Sequence, residues 1–284
     1  MRMVKHILVL AVVTGTLFTR PMVLAEEKSM SAEKRIVQAQ AVLTVSESKR
    51  LIARAVARTQ IVRDALKDGM VIICKGTTNT YVAEEITGKK IEHGSYVYGR
   101  TYPEKGGKEL KPKQIIKEII LVDGKEAELD LVEAVRKLKA GDVVIKGANA
   151  LNYDKKTAAV ITGGGSGGTT GKIMPVVIAR KVHLLIPVGL EKQVAGDVVE
   201  ITNKVREPIE SVNSVYSMFL LTGDIFTEIE AIKTFADVSV FQAAAGGIGG
   251  AEGSIRLIIR GGKAEVEKAL KIVKSVHGEP AFVK

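Results

Sequence analysis

Three short runs, Met70–Cys74, Asp142–Lys146 and Val182–Val188, are apolar almost throughout, and each passes directly into a loop containing glycine. They are too short for helices and lack polar alternation, so they read as strands buried on both faces of a sheet. Between them lie segments with helical spacing. Leu51, Ile52, Ala55, Val56, Val62 and Leu66 mark one helix from Ser48 to Asp68, and Tyr81–Ile86, Asp130–Leu138 and Ile173–Lys181 mark three more. Ile115–Val122 and Ala158–Thr162 read as further strands. Strands alternating with helices predict an α/β fold with a Rossmann-like, mainly parallel sheet, whose ligands sit beyond the carboxyl ends of the strands.

After residue 206 the pattern changes. Ser217–Leu221, Asp237–Ala244, Ser254–Arg260 and Glu279–Val283 read as strands, and Phe226–Phe235 and Lys263–Val276 as helices. That order, βαββαβ, predicts a ferredoxin-like α+β domain over 207–284, joined through Glu200–Ser214 to a Rossmann-like domain over 26–206. The glycines of Ala245–Gly253 form a flexible hairpin or a lid over a pocket.

The first 25 residues have the layout of a signal peptide. Arg2 and Lys5 precede the apolar run His6–Phe18, and Val23 and Ala25 occupy the small-residue positions of a cleavage site. The run falls short of the roughly 20 residues that span a bilayer, so no stable membrane anchor is expected after processing. The protein is therefore expected to be periplasmic or extracellular. The formal charge of +10 becomes +7 once Arg2, Lys5 and Arg20 are removed, and because 207–284 carries an excess of acids the basic charge lies in 26–206. This favours an anionic partner. Without a helix-turn-helix or similar module, and with no Trp, nucleic acid is disfavoured. One cysteine, Cys74, and four scattered histidines give no disulfide and no metal site.

Three loops carry the candidate chemistry. Lys75, Gly76, Thr77, Thr78 and Asn79 join a buried strand to a helix start, where unpaired N–H groups suit an anion or are capped by the threonines. Lys146, Gly147 and Asn149 end the second apolar strand. Gly163, Gly164, Gly165, Ser166, Gly167 and Gly168, with Lys172 beyond, satisfy G-x-G-x-x-G, and Glu191 follows at the end of the next strand. A nicotinamide dinucleotide or coenzyme A is the cofactor such a loop would suit.

The residues Asp142–Ala150, Val160–Thr162 and the glycine loop through Ile173 resemble ribose-5-phosphate isomerase type A. Gly76–Thr80 is similar to that family's phosphate loop, and Leu51–Glu85 to the sugar-sensing half of DeoR-type regulators. The resemblance covers 48–190 and extends to the superfamily that includes CoA transferases. It implies a sugar or carboxylate site. The isomerase needs carboxylates and a cation to move a proton between carbons, and its acidic positions fall on Lys146, Asn149, Ala150 and Gly171, its lysine on Thr162. Isomerase activity is not expected, and Glu191 is the one candidate for transferase-type nucleophilic chemistry.

These observations point to a protein that binds a small anionic metabolite, carboxylated or phosphorylated and sugar-like. A nicotinamide-dependent oxidoreductase and a structural protein with an emptied site stay open as alternatives, as does homo-oligomer formation. Export favours a carboxylate, since dinucleotides, coenzyme A and sugar phosphates are scarce outside the cytoplasm. The intact mass of the protein from its native host is expected to lack Met1–Ala25. A mass retaining them would overturn the export reading.

Overall fold

The computed structural model describes residues 35–106 and 110–282, so the expected targeting segment Met1–Ala25 lies outside it. Among the described residues no helix is long and apolar enough to cross a membrane. The fold is mixed α/β, with one six-stranded sheet and two three-stranded antiparallel sheets.

The six-stranded sheet holds the apolar runs. Strands β2 (Met70–Ile73), β5 (Val143–Ile145), β8 (His183–Pro187) and β10 (Asp224–Phe226) are mutually parallel, in the order β10-β8-β5-β2. All of β2 and β5 is buried, as expected for strands covered on both faces. Beyond β2, β3 (Ile119–Val122) and β4 (Lys125–Glu126) continue the sheet antiparallel. Asp123 and Gly124 join them with φ of 49° and 75°, the two positive values that a tight hairpin requires and that Asp-Gly tolerates.

The other sheets depart from expectation. β7 (Thr157–Ile161) does not enter the parallel sheet; it lies between β6 (Ala150–Asn152) and β9 (Met218–Leu221), antiparallel to both. The C-terminal strands also do not pair among themselves as a ferredoxin-like sheet. β9 joins β7, β10 extends the parallel sheet, and residues 279–282 form no strand. Only the hairpin of β11 (Ser239–Ala245) and β12 (Ile255–Gly262) forms as expected, and its third strand is β1 (Ile36–Leu43) from the other end of the chain. The cause is visible in Ile36-Val37-Gln38-Ala39-Gln40-Ala41-Val42-Leu43. Val37, Ala39, Ala41 and Leu43 point to one face, which matches the alternating burial of β12 over eight paired residues. Strand pairing therefore crosses the expected division at 206.

The helix expected from Ser48 to Asp68 is two helices, α1 (Val45–Val56) and α2 (Gln60–Lys67). Thr59 breaks them: its hydroxyl bonds the Val56 carbonyl at 2.8 Å and its backbone turns extended. After β2 comes α3 (Thr77–Thr87), stopped by Gly88 at φ 70°. The remaining helices are α4 (Leu131–Lys137), α5 (Gly168–Ala179), α6 (Val198–Val205), α7 (Glu228–Phe235) and α8 (Lys263–Lys274). α6, which runs into the expected linker, is capped by Asp197.

α1 packs against α3 and α7 and is buried nearly all round, although it carries Lys49 and Arg50. The Arg50 guanidinium meets Glu84 at 2.6 Å, Glu85 at 2.9 Å and Glu279 at 3.0 Å, and lies 4.5 Å from the centre of the Tyr81 ring. A buried cation with several carboxylate partners leaves them uncompensated when it is removed. Arg50→Ala is expected to lower stability by about 3–5 kcal/mol in urea unfolding. Arg54→Ala, which breaks a more exposed 3.7 Å pair with Glu85, should cost less than about 1 kcal/mol. Equal effects would refute the buried network as the source.

Candidate functional site

The carboxyl ends of β2, β5, β8 and β10 lie side by side, and each delivers a polar side chain to the same end of the sheet. β2 runs through Cys74 to Asn79 in the first turn of α3. The Asn79 amide is buried and donates to the Cys74 carbonyl at 2.7 Å and the Ile145 carbonyl at 3.1 Å, tying the ends of β2 and β5 together. This fixes the amide's orientation and leaves Oδ1 buried without a partner. No side chain caps α3, which begins at Gly76 in extended backbone. Thr78 is buried with Asn79, while Lys75, Gly76 and Thr77 are half-buried. The Lys75 ammonium is 4.0 Å from Glu118 and lies over the Tyr98 ring.

β5 ends in Lys146, which is 9% exposed and makes no ion pair among the described residues. Burial lowers the pKa of its ammonium; Cys74 opposes that shift and Lys192 adds to it. Cys74 itself is fully buried, and burial pushes its thiol up to about 12, which suits packing rather than reaction. Gly147 follows, with the Pro187 carbonyl 3.5 Å from where a Cβ would stand. Asn149 is exposed and engaged in structure: its N–H bonds Ala159, and its Oδ1 accepts from Ile161 at 3.0 Å, starting the β6–β7 pair.

β8 ends in Gly189, Leu190, Glu191 and Lys192. A Cβ on Gly189 would stand 1.7 Å from Glu191 Oε2, so only glycine lets that carboxylate fold back over the strand end. Glu191 Oε2 is buried and unpartnered, whereas Lys192 Nζ donates to the Ala148 carbonyl at 3.2 Å, bridging β8 to the end of β5. β10 leads through Thr227 to Glu228 at the first turn of α7. Glu228 is 0% exposed; its Oε2 accepts the Leu190 N–H at 3.0 Å and its Oε1 has no partner. Burial first, then the nearby Glu191, pushes its carboxyl up to about 8, against hydrogen bonds from backbone and from Ser48.

Lys49 completes the group from α1. It is 7% exposed, and burial lowers its ammonium to about 8, with Lys192 adding to the shift and Glu191 and Glu228 opposing it. The residues that converge are thus Lys49, Asn79, Lys146, Glu191, Lys192 and Glu228. Sequence reading missed Lys49, Lys192 and Glu228. The signal for Lys49 was the apolar set Leu51, Ile52, Ala53, Ala55 and Val56 just after it, which buries most of the helix surface. Glu228 resembled an ordinary first-turn acid beside the Thr227–Glu230 capping box.

The glycine loop stands apart from this group. Gly163–Ser166 are exposed, Gly167 and Gly168 half-buried, and Lys172 exposed. The loop follows antiparallel β7 rather than a parallel strand, and Gly168 already belongs to α5, whose N-cap Gly167 has φ 73°. The expected strand–loop–helix order is formed, but its strand is antiparallel and outside the parallel sheet, where a dinucleotide fingerprint needs a parallel one. Asp142 lies at the opposite, amino end of β5, where it accepts from the Met70 N–H at 2.8 Å and the Lys139 N–H at 2.7 Å. A cavity of about 470 Å³ is lined by Tyr153, Asp154, Leu190, Gln193, Ile229 and Val240–Ala245 of β11, and by none of the six residues of the group. A second, of about 500 Å³, lies among Lys89, Lys113, Lys117 and their acidic neighbours, away from the group. No metal-binding cluster occurs among the described residues.

No protein-family model, curated protein or solved structure matches the chain.

A carboxyl whose folded pKa lies above its unfolded value stabilises the fold most at low pH and loses that contribution as pH rises to the folded value. For Glu228 the window runs from about 4.5 to about 8. Glu228→Gln is expected to gain on the wild type by up to about 1.4 kcal/mol per pH unit across that window and to level off above it. Urea midpoints at pH 5, 6.5, 8 and 9 measure this. A constant difference would show that Glu228 is ionised throughout.

Proposed function

We propose that the protein, exported after loss of Met1–Ala25, binds a small organic anion at the carboxyl ends of β2, β5 and β8. The observation that carries this reading is Lys146: a buried ammonium that makes no ion pair among the described residues, beside Lys192 and the open first turn of α3. A buried cation is costly when unpaired, and an anion at this position would supply the missing charge. The reading takes the four parallel strands as a Rossmann-like unit related to the isomerase and CoA-transferase superfamily, with binding kept and the isomerase acids replaced. It prefers a carboxylate, for the compartment reason given above, and moves the site's centre from the glycine loop to the lysines. The dinucleotide alternative loses ground because Gly163–Gly168 follows an antiparallel strand.

Titration calorimetry with inorganic phosphate, acetate and propionate tests the site. Lys146→Met is expected to weaken binding about ten- to a hundredfold, the loss of one charged hydrogen bond. Lys137→Ala, exposed at the end of α4, is expected to leave binding unchanged. Absence of binding by the wild type, or equal loss in both variants, would overturn the reading.

A further inference from the structure

Beside the three ammonium groups stand three buried oxygens that accept nothing: Asn79 Oδ1, Glu191 Oε2 and Glu228 Oε1. Two of them are held in place by other contacts: Asn79 by its two donations to carbonyls and Glu228 by the Leu190 N–H on its other oxygen, while Glu191 folds back over the bare backbone of Gly189. Neither Asn79 nor Glu228 can turn to find a partner without breaking those contacts. Buried acceptors are normally satisfied, so a ligand filling this site would bring donors as well as negative charge.

Resting on the anion-binding reading, we infer that the ligand is a hydroxylated organic acid, whose carboxylate meets Lys49, Lys146 and Lys192 and whose hydroxyls donate to Asn79 and Glu191 and accept from the protonated carboxyl of Glu228. Charge selects hydroxyl over ammonium as the donor. Below about pH 8 Lys49 keeps its charge and Glu228 its proton, which leaves the group cationic, favours a ligand of net negative charge and opposes a zwitterion. The group also separates hydroxy acids from plain acids of equal charge. A plain acid covers these oxygens with carbon and leaves them unpaired, whereas a hydroxyl pairs them, and sites built to bond a hydroxyl discriminate strongly against its absence.

The test compares matched acids by calorimetry on the mature protein: lactate and glycerate against propionate, and gluconate against hexanoate. The hydroxylated member of each pair is expected to bind at least about tenfold more tightly. Glu191→Gln, which replaces the carboxylate but keeps its shape, should narrow that ratio, while Lys146→Met weakens both members together. Circular dichroism and a urea midpoint confirm that each variant is folded. Equal affinity within each pair would mean that water or a shared proton satisfies the three oxygens, overturning the inference and leaving the anion site intact. Binding of no acid at all would overturn both.

Discussion

Arg50 is the group on which the placement of everything else depends. Burying α1 on all sides puts two adjacent cations into the interior, and only one of them is fully compensated. Glu84 and Glu85 come from α3, and Glu279 from beyond α8, so this single guanidinium joins three distant parts of the chain. Consecutive residues on a helix point about 100° apart. Lys49, one position earlier on the helix, has its ammonium 5.8 Å from the centre of the Phe282 ring in that same C-terminal segment, with Glu191 and Glu228 within electrostatic reach. The two cations share the segment but not the carboxylates.

The sheet supplies the other half of the arrangement. Its four parallel strands end in spatial order with Glu228, then Glu191 and Lys192, then Lys146, then Asn79. Adjacent strands are about 4.8 Å apart, so these ends span about 14 Å, the scale of a small metabolite. Side chains from four separate strand ends are positioned by the sheet's hydrogen bonds rather than by a flexible loop, and the direct ties make this tighter still. Asn79 links β2 to β5, Lys192 links the end of β8 to Ala148, and Leu190 links β8 to Glu228. The glycine loop has no such support. It sits on exposed backbone after a strand of another sheet, and its many glycines serve the left-handed turns at Gly164, Gly167 and Gly168.

How much of this the sequence revealed follows from what each signal measures. Complete apolarity reports burial on both faces, and for that reason Met70–Cys74, Asp142–Lys146 and Val182–Val188 were legible as parallel strands with sites at their ends. The same logic could have found β1, where Val37, Ala39, Ala41 and Leu43 alternate with Gln38 and Gln40 as in a one-sided strand. Pairing was not legible, because alternation shows which face is buried and not against which partner. Ala158–Thr162 and Ser217–Leu221 were recognised as strands yet assigned to the wrong sheets for this reason. Of the site, Asn79, Lys146 and Glu191 were found because they follow strand ends. Lys49 and Glu228 were not, since a cation on a helix and an acid in a first turn are ordinary until tertiary packing buries them.

Burial gives the group a further property that no single residue carries. Lys49 and Glu228 both reach values of about 8 from opposite sides, the lysine pulled down and the carboxyl pushed up. Each shift has desolvation as its largest cause, and the two titrations overlap, so the proton belongs to the cluster more than to either side chain. A proton on either residue raises the group's charge by one. An anion placed among the lysines would stabilise the protonated form of both, the ammonium by attraction and the carboxylic acid by removing a repulsion. Binding and proton uptake would then run in the same direction, and affinity would decline as both protons are lost above pH 8. That coupling needs no moving part; it follows from placing one lysine and one glutamate, both desolvated, around a site that already carries positive charge.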